Sequence, residues 1–361
     1  MSGRPRVVII GAGIIGASIA YRMAQTGARV TVLDAGLPAG SASGASFGWI
    51  NASFFANPDH FHLRQAGLAA HRRLDADIGE TGTIWSGALW WEETGAGFDA
   101  QAKTLATLGY PVRQLSQAEF TRAEPNIANP PDRCLAFAAE GATDAAVLTE
   151  RLLQGAAVFG AQTWLGCPAT GFRRRGDRVT AVITDQGDIA ADHVIVAAGT
   201  ATEQLLVPLG IALPMLRRPG AIVQTRPVPP MIRHILVSPD GELRQDARGR
   251  IIAPTAVSHQ GDASFTVTAL PGDAACAALI RLRALLPGAD LQIDRVLLAH
   301  RPVPFDGLPV IGPTGIAGLY VTVMHSGVTL APLVGELVAD EVLRGTESPL
   351  LALFRPDRFA S

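Results

Sequence analysis

The stretch Val7–Asp34, VVIIGAGIIGASIAYRMAQTGARVTVLD, decides how the rest of the chain is arranged. It reads as strand, tight turn, helix, strand. Val7 to Ile10 is a short apolar run, as expected of a parallel strand buried on both faces. Gly11, Gly13 and Gly16 then fall on GxGxxG. Gly11 permits the tight turn, Gly13 lets backbone approach a pyrophosphate, and Gly16 lets the helix pack closely on the strand. The helix N-terminus, opening at Ile14 and Ile15, offers unpaired N–H groups and a dipole to an anion. Ile14, Ile15, Ala17, Ser18 and Met23 keep the helix apolar or small toward the sheet, and Gly27 fits a C-terminal cap. Arg29 to Leu33 is the second strand. Asp34 ends it, 18 residues after Gly16, where a carboxylate accepts hydrogen bonds from both ribose hydroxyls of an adenine dinucleotide. The glycines alone could merely make a turn; all these features in register favour the nucleotide.

Composition sets bounds around that unit. The 361 residues are 48% hydrophobic and 17% charged, which suits a soluble globular enzyme of two domains. A net charge of −2 favours neither nucleic acid nor an anionic membrane as partner. Cys134, Cys167 and Cys276 are widely spaced with no CxxC, which suggests neither a disulfide frame nor a zinc site and fits a reducing cytoplasm. No room for a signal peptide precedes the first strand, and no apolar run reaches roughly 18 residues, so no membrane span is expected. Lys103, the only lysine, falls in a polar helix, which makes Schiff-base chemistry improbable.

After Asp34 comes a loop dense in Gly, Ala and Ser, suited to lying flat against a planar ligand. Ser43, Ser46 and Gly48 are candidate cofactor contacts, with Trp49 and Asn51 close to the reactive end. Helices are expected at His60 to Leu74, over part of 98–123, and after Asp144 or Thr143; Thr83 to Trp91 reads as strand. His60 and His62, without a matching carboxylate or cysteine, read as surface residues and not metal ligands. Strands follow at Thr163 to Leu165, Pro168 to Arg173 and Val179 to Thr184, and Ala169 is a further candidate contact. HVIVAAG, residues 193–199, reads as a buried strand of the nucleotide sheet that brings Ala198 and Gly199 against the cofactor. Between 211 and 295 the pattern gives strands at Gly220 to Thr225, Arg250 to Ala253 and Ser264 to Leu270, then a helix at Ala274 to Leu286. Leu319 to Val323 is another buried strand, Met324 to Val328 a loop, and Thr329 to Leu343 a helix with Pro332 in its first turn. That helix is a second N-terminus emerging from a glycine loop, placing Gly327, Val328 and Thr329 beside a ligand.

Five motifs in order, the nucleotide unit ending in Asp34, SGASFGWIN, HVIVAAG, RPVPFDGLPVIG and MHSGVTLAP, resemble the D-amino-acid oxidase superfamily, in particular its glycine/sarcosine oxidase and small D-amino-acid dehydrogenase branch. The resemblance implies an α/β chain, α+β overall, in which a Rossmann-like FAD-binding domain (1–80, 141–210 and 296–361) is interleaved with a mixed-sheet substrate domain (81–140 and 211–295). It also implies that Arg301 grips a substrate carboxylate with its guanidinium fork; the alternative is a structural ion pair with Asp306. His325, Ser326 and Gly327 match the loop beside the flavin, so His325 is a candidate for contact with flavin or substrate. Relatives that attach FAD covalently use a cysteine just before this arginine; Leu298, Ala299 and His300 supply none, so FAD is expected to be non-covalent. The expected activity is oxidation of a carbon–nitrogen bond in a small amine or amino acid by hydride transfer to flavin N5, with oxygen, a quinone or an electron-transfer protein as electron acceptor. Competing readings are a nicotinamide-dependent dehydrogenase, a flavin-binding subunit without turnover, and a 2-hydroxy-acid dehydrogenase of the same fold.

Overall fold

The computed structural model describes residues 4–79, 81–257 and 270–360. β1 (Arg6–Ile10), α1 (Ile14–Gln25) and β2 (Arg29–Asp34) form the expected unit. The two strands pair in parallel, with Val7 opposite Val30 and Ile10 opposite Leu33. Four of the five β1 side chains are buried, as their apolar run requires. On its other side β1 pairs in parallel with His193–Val196, so HVIVAAG does belong to this sheet. The full spatial order is Val310–Pro313, Leu319–Val323, His193–Val196, β1, β2, Gln162–Leu165, and only the first pair is antiparallel. The chain leaves β1 toward β2 on one side and fills the other side later. The carboxyl ends of β1 and His193–Val196 therefore flank a crevice of the kind in which such sheets bind ligands.

α1 packs against the helices Ala145–Val158 and Gly327–Arg344. Ser18 faces the latter helix and not the sheet, because Gly335 leaves it room: a Cβ there would lie 2.6 Å from Ser18 Oγ. α2 (Pro58–Ile78), capped by the Asn57 side chain, extends beyond the expected His60 to Leu74 and crosses the same helix at Gly67.

The second sheet has eight strands drawn from 88–137 and 215–304. The two stretches meet in one parallel pair, Ala88–Trp90 with Ile235–Ser238. The strand read at Thr83 to Trp91 is thus shorter, with an isolated bridge at Ile84. The helix read within 98–123 is broken into Gly95–Thr107 and Gln117–Ala123, because Gly109 takes a left-handed φ of 72° and the strand Arg113–Ser116 intervenes. All but Leu270 of the strand expected at Ser264 to Leu270 lies outside the described residues.

Met215–Thr225 pairs along its length with Ile293–Pro304. The boundary expected at 295/296 falls inside that second strand, so Arg301 stands on the eight-stranded sheet, opposite Arg218. Nothing in IDRVLLAH breaks the strand, and Pro302 and Pro304 sit at its end on a sheet edge, where a missing donor is tolerated. Among the described residues no helix is long and apolar enough to cross a membrane.

Candidate active site

A cavity of about 710 Å³ extends from the β1–α1 turn to the strand pair that carries Arg301. Its first end is made mostly by main chain. Gly11 has φ 115°, and a Cβ on it would lie 2.3 Å from the Ala197 carbonyl oxygen. Gly13 puts no side chain of its own at the entrance to α1, where the Ile14 N–H donates to Ser43 Oγ at 3.0 Å. Asp34 accepts from the N–H groups of Ala12 and Gly36, both at 2.7 Å, and so fixes the turn itself. A carboxylate has about four acceptor positions, so capacity remains for ligand hydroxyls.

Gly11, Gly13, Ile14, Ile15, Asp34, Ser43, Ser46, Gly48, Trp49, Ala169, Ala198, Gly199, Arg301, His325, Gly327, Val328 and Thr329 all line this one cavity. Gly16 does not. A Cβ on it would lie 1.9 Å from the Gly11 carbonyl oxygen, so the close helix–strand packing requires glycine here. Ser46 accepts from the Gly48 N–H at 3.0 Å and shapes the loop. Arg244 of the eight-stranded sheet then pins that loop, donating to the carbonyls of Phe47 at 2.6 Å and Thr143 at 3.3 Å.

At the other end, the last helix begins at Gly327, two residues earlier than its sequence suggested, which puts Pro332 in the helix interior. Pro332 has no N–H for the Val328 carbonyl four residues back. His71 of α2 supplies the missing donor, its Nε2 lying 2.8 Å from that oxygen. Burial pushes the His71 imidazole down to about 4, so it is neutral at pH 7. The first helical bond runs from Leu330 N to Ser326 O, which leaves the N–H groups of Gly327, Val328 and Thr329 at the open helix terminus.

Arg301 points its Nη2 at the Pro219 carbonyl, 3.3 Å away, and Gly220 leaves space beside the guanidinium. Asp306, the alternative partner, is held instead by Arg358. His62 is exposed, as read, but His60 is buried at 5% exposure. Its Nδ1 accepts from the Ala56 N–H, and desolvation pushes it down to about 3.

Residues unnoticed in the sequence complete this end. Arg64 contacts Asn51 and Ser326. Glu140, fully buried, accepts from Trp49 Nε1, the N–H groups of Ala52 and Ser53, and the Tyr110 hydroxyl. Desolvation pushes Glu140 up to about 7, while these donors hold it down. One signal was available: His60, Arg64, Gly67 and His71 recur at helical spacing, a polar and small stripe on the inward face of α2.

Comparison with known proteins settles which dinucleotide the cleft takes. The pattern of the DAO family, described as FAD dependent oxidoreductase, matches residues 6–341. The chain belongs to that family. Similar DAO-family proteins include the glycine oxidase of Pseudomonas aeruginosa, 28% identical over 93% of this chain and 94% of the relative. The D-amino acid dehydrogenase of Allorhizobium ampelinum is 26% identical over the same two shares. The solved glycine oxidase of Geobacillus kaustophilus superposes with a TM-score of 0.86 at 25% identity, covering 98% of this chain and 99% of that one. The protein is thus an FAD-dependent oxidase or dehydrogenase. Its residues fit the group: side-chain-free turns at Gly11 and Gly13, a carboxylate at Asp34, and a cleft that continues to a second helix N-terminus.

Proposed function

We propose that the enzyme oxidises the carbon–nitrogen bond of a small amino acid or secondary amine bearing a carboxylate, of the D-amino acid, glycine or sarcosine type. The observation that carries this reading is Arg301, brought by the eight-stranded sheet into the same cavity as the nucleotide turn and the last helix N-terminus. We take that sheet as the substrate-binding unit and the six-stranded one as the FAD-binding unit.

FAD supplies the hydride acceptor. Arg301 presents a planar fork to the substrate carboxylate, and the Pro219 carbonyl limits its swing. Fixing the carboxylate fixes the α-carbon, and orientation of this kind is a large part of the rate. Ile222, Met324 and Val328 line the same end and keep it poor in water. Asp34, at the nucleotide end, is the one carboxylate lining the cavity among the described residues. Among the described residues no acidic general base therefore lines the substrate end, which suits hydride loss from a neutral amine. His325 lines this end and is assigned to flavin or substrate contact.

The cofactor is read as non-covalent: no cysteine lines the cavity, and all three thiols are free, as in a reducing compartment such as the cytoplasm. The test is anaerobic titration with D-amino acids, N-methyl amino acids and hydroxy acids while the flavin absorbance is followed. Bleaching by amino acids that carry a carboxylate is the expected result. Bleaching by hydroxy acids alone, or by none of the panel, would overturn the substrate class.

A further inference from the structure

The inward stripe of α2 ends in a cluster whose hydrogen inventory does not close on the protein. Arg64, 6% exposed, has five N–H donors. Three are directed at neutral acceptors: the Asn51 carbonyl at 3.1 Å, Asn51 Oδ1 at 2.5 Å and Ser326 Oγ at 2.5 Å. Among the described residues no carboxylate is in hydrogen-bond contact with it. Glu140 acts on it only through space, and its own oxygens are taken by Trp49, Ala52, Ser53 and Tyr110.

Ser326 is in a complementary position. The Ala56 N–H donates to His60 Nδ1, which fixes the imidazole proton on Nε2, 3.3 Å from Ser326 Oγ. Ser326 Oγ thus accepts from both Arg64 and His60, which fills its two lone pairs and leaves its own hydrogen to be donated. Asn51, Arg64 and Ser326 all line the cavity. What they present to its contents is a full positive charge, one hydroxyl donor and two spare guanidinium N–H groups.

We propose that Arg64, oriented by Asn51 and Ser326, is a built-in cation of the FAD cleft that binds reduced FAD more tightly than oxidised FAD; this rests on the reading of the cavity as the redox site. A buried cation lacking a contacting counter-ion is costly, and an occupant that gains negative charge offsets that cost. Transfer of a hydride from the substrate α-carbon moves two electrons and one proton. The substrate leaves as an iminium, and the flavin is one charge more negative until a second proton follows. Burial pulls the Arg64 guanidinium down to about 10, which leaves it protonated at neutral pH. A group that binds one state better shifts the equilibrium by its differential affinity.

The experiment is a dithionite or dye-equilibrated reductive titration of the FAD-bound protein, with the dissociation constant of oxidised FAD measured alongside. In Arg64→Met the affinity ratio for reduced over oxidised FAD is expected to fall roughly tenfold to a hundredfold, about 30–60 mV for a two-electron couple. Oxidised FAD should be held within a few-fold of wild type. Arg64→Lys keeps the charge and should keep most of the ratio, and Ser326→Ala should lose roughly threefold. An unchanged ratio in Arg64→Met, or an equal fall in Arg64→Lys, overturns the proposal. Should Arg64→Met fail to fold, an unchanged ratio in Ser326→Ala overturns it. Because the titration needs no substrate, failure of every amino acid to bleach the flavin would sink the substrate class while leaving this result readable.

Discussion

At one end of the cleft, Gly11, Gly13 and Asp34 belong to a single strand–turn–helix–strand unit, shaped by glycines that leave side-chain space empty and by main-chain N–H groups that donate to one carboxylate. At the other end, Arg64, Glu140, Arg301 and Ser326 come from four separate stretches of chain; the Arg64–Ser326 bond alone spans 262 positions. A backbone cradle can be specified locally, by where side chains are missing. A side-chain network exists only once the fold has assembled it, and it fails as a unit when one member is lost. Substitutions at the second end are therefore expected to be the more damaging.

Glu140 gives the largest expected effect. Glu140→Ala leaves the Trp49 and Tyr110 donors and two loop amides buried without an acceptor, which should cost about 3–5 kcal/mol of stability. Denaturant unfolding of the FAD-bound protein measures it; a loss below about 1 kcal/mol would mean that the Trp49–Ser53 loop is held by packing alone.

Arg301 comes next. Arg301→Ala should lower kcat/KM for carboxylate substrates by roughly two orders of magnitude or more, and Arg301→Lys by less, since an ammonium keeps the charge but lacks the fork. The FAD spectrum should be unchanged. A decarboxylated amine analogue should be turned over equally poorly by wild type and variant. Equal losses on both substrates, or loss of flavin, would place Arg301 in the scaffold.

The same difference explains what was legible beforehand. Val7–Asp34 could be read because period, glycines and terminal acid all lie within one short window. The last helix was read by its apolar spacing, yet its start was set too late, because Gly327 and Val328 look like loop until tertiary context is known. Arg64 and Glu140 carry no local mark of function. Only the recurrence of His60, Arg64 and His71 on the inward face of α2 hinted at a buried polar layer, and polar residues at core-facing positions are the pattern to look for.

At the main-chain end a smaller loss is expected. Asp34→Ala removes acceptors for an uncharged ribose, worth about 1–3 kcal/mol, so FAD affinity should fall roughly tenfold to a hundredfold. Because Asp34 also holds Ala12 and Gly36, Asp34→Asn, which keeps one acceptor, should lose less. Unchanged affinity in a folded Asp34→Ala would move the ribose contact elsewhere.

His71 supports the second end from behind, since it carries the Val328 carbonyl that Pro332 leaves without a donor. Its folded value of about 4 lies below the ordinary 6.5, so the unfolded chain binds this proton more readily. The sign follows from linkage: the contribution of His71 is fully present above pH 6.5 and is lost as the pH falls toward 4. His60, lowered to about 3, acts in the same direction, while Glu140, raised to about 7, acts in the opposite one. His71→Gln keeps an N–H donor for Val328 but has no proton to gain. Between pH 6.5 and 5.5 wild type should therefore lose about 1 kcal/mol more stability than the variant, by the usual scale of about 1.4 kcal/mol per pH unit for one group. Parallel stability–pH curves for the two proteins would show that His71 is solvated in the folded state and that the proline's missing bond is met in another way.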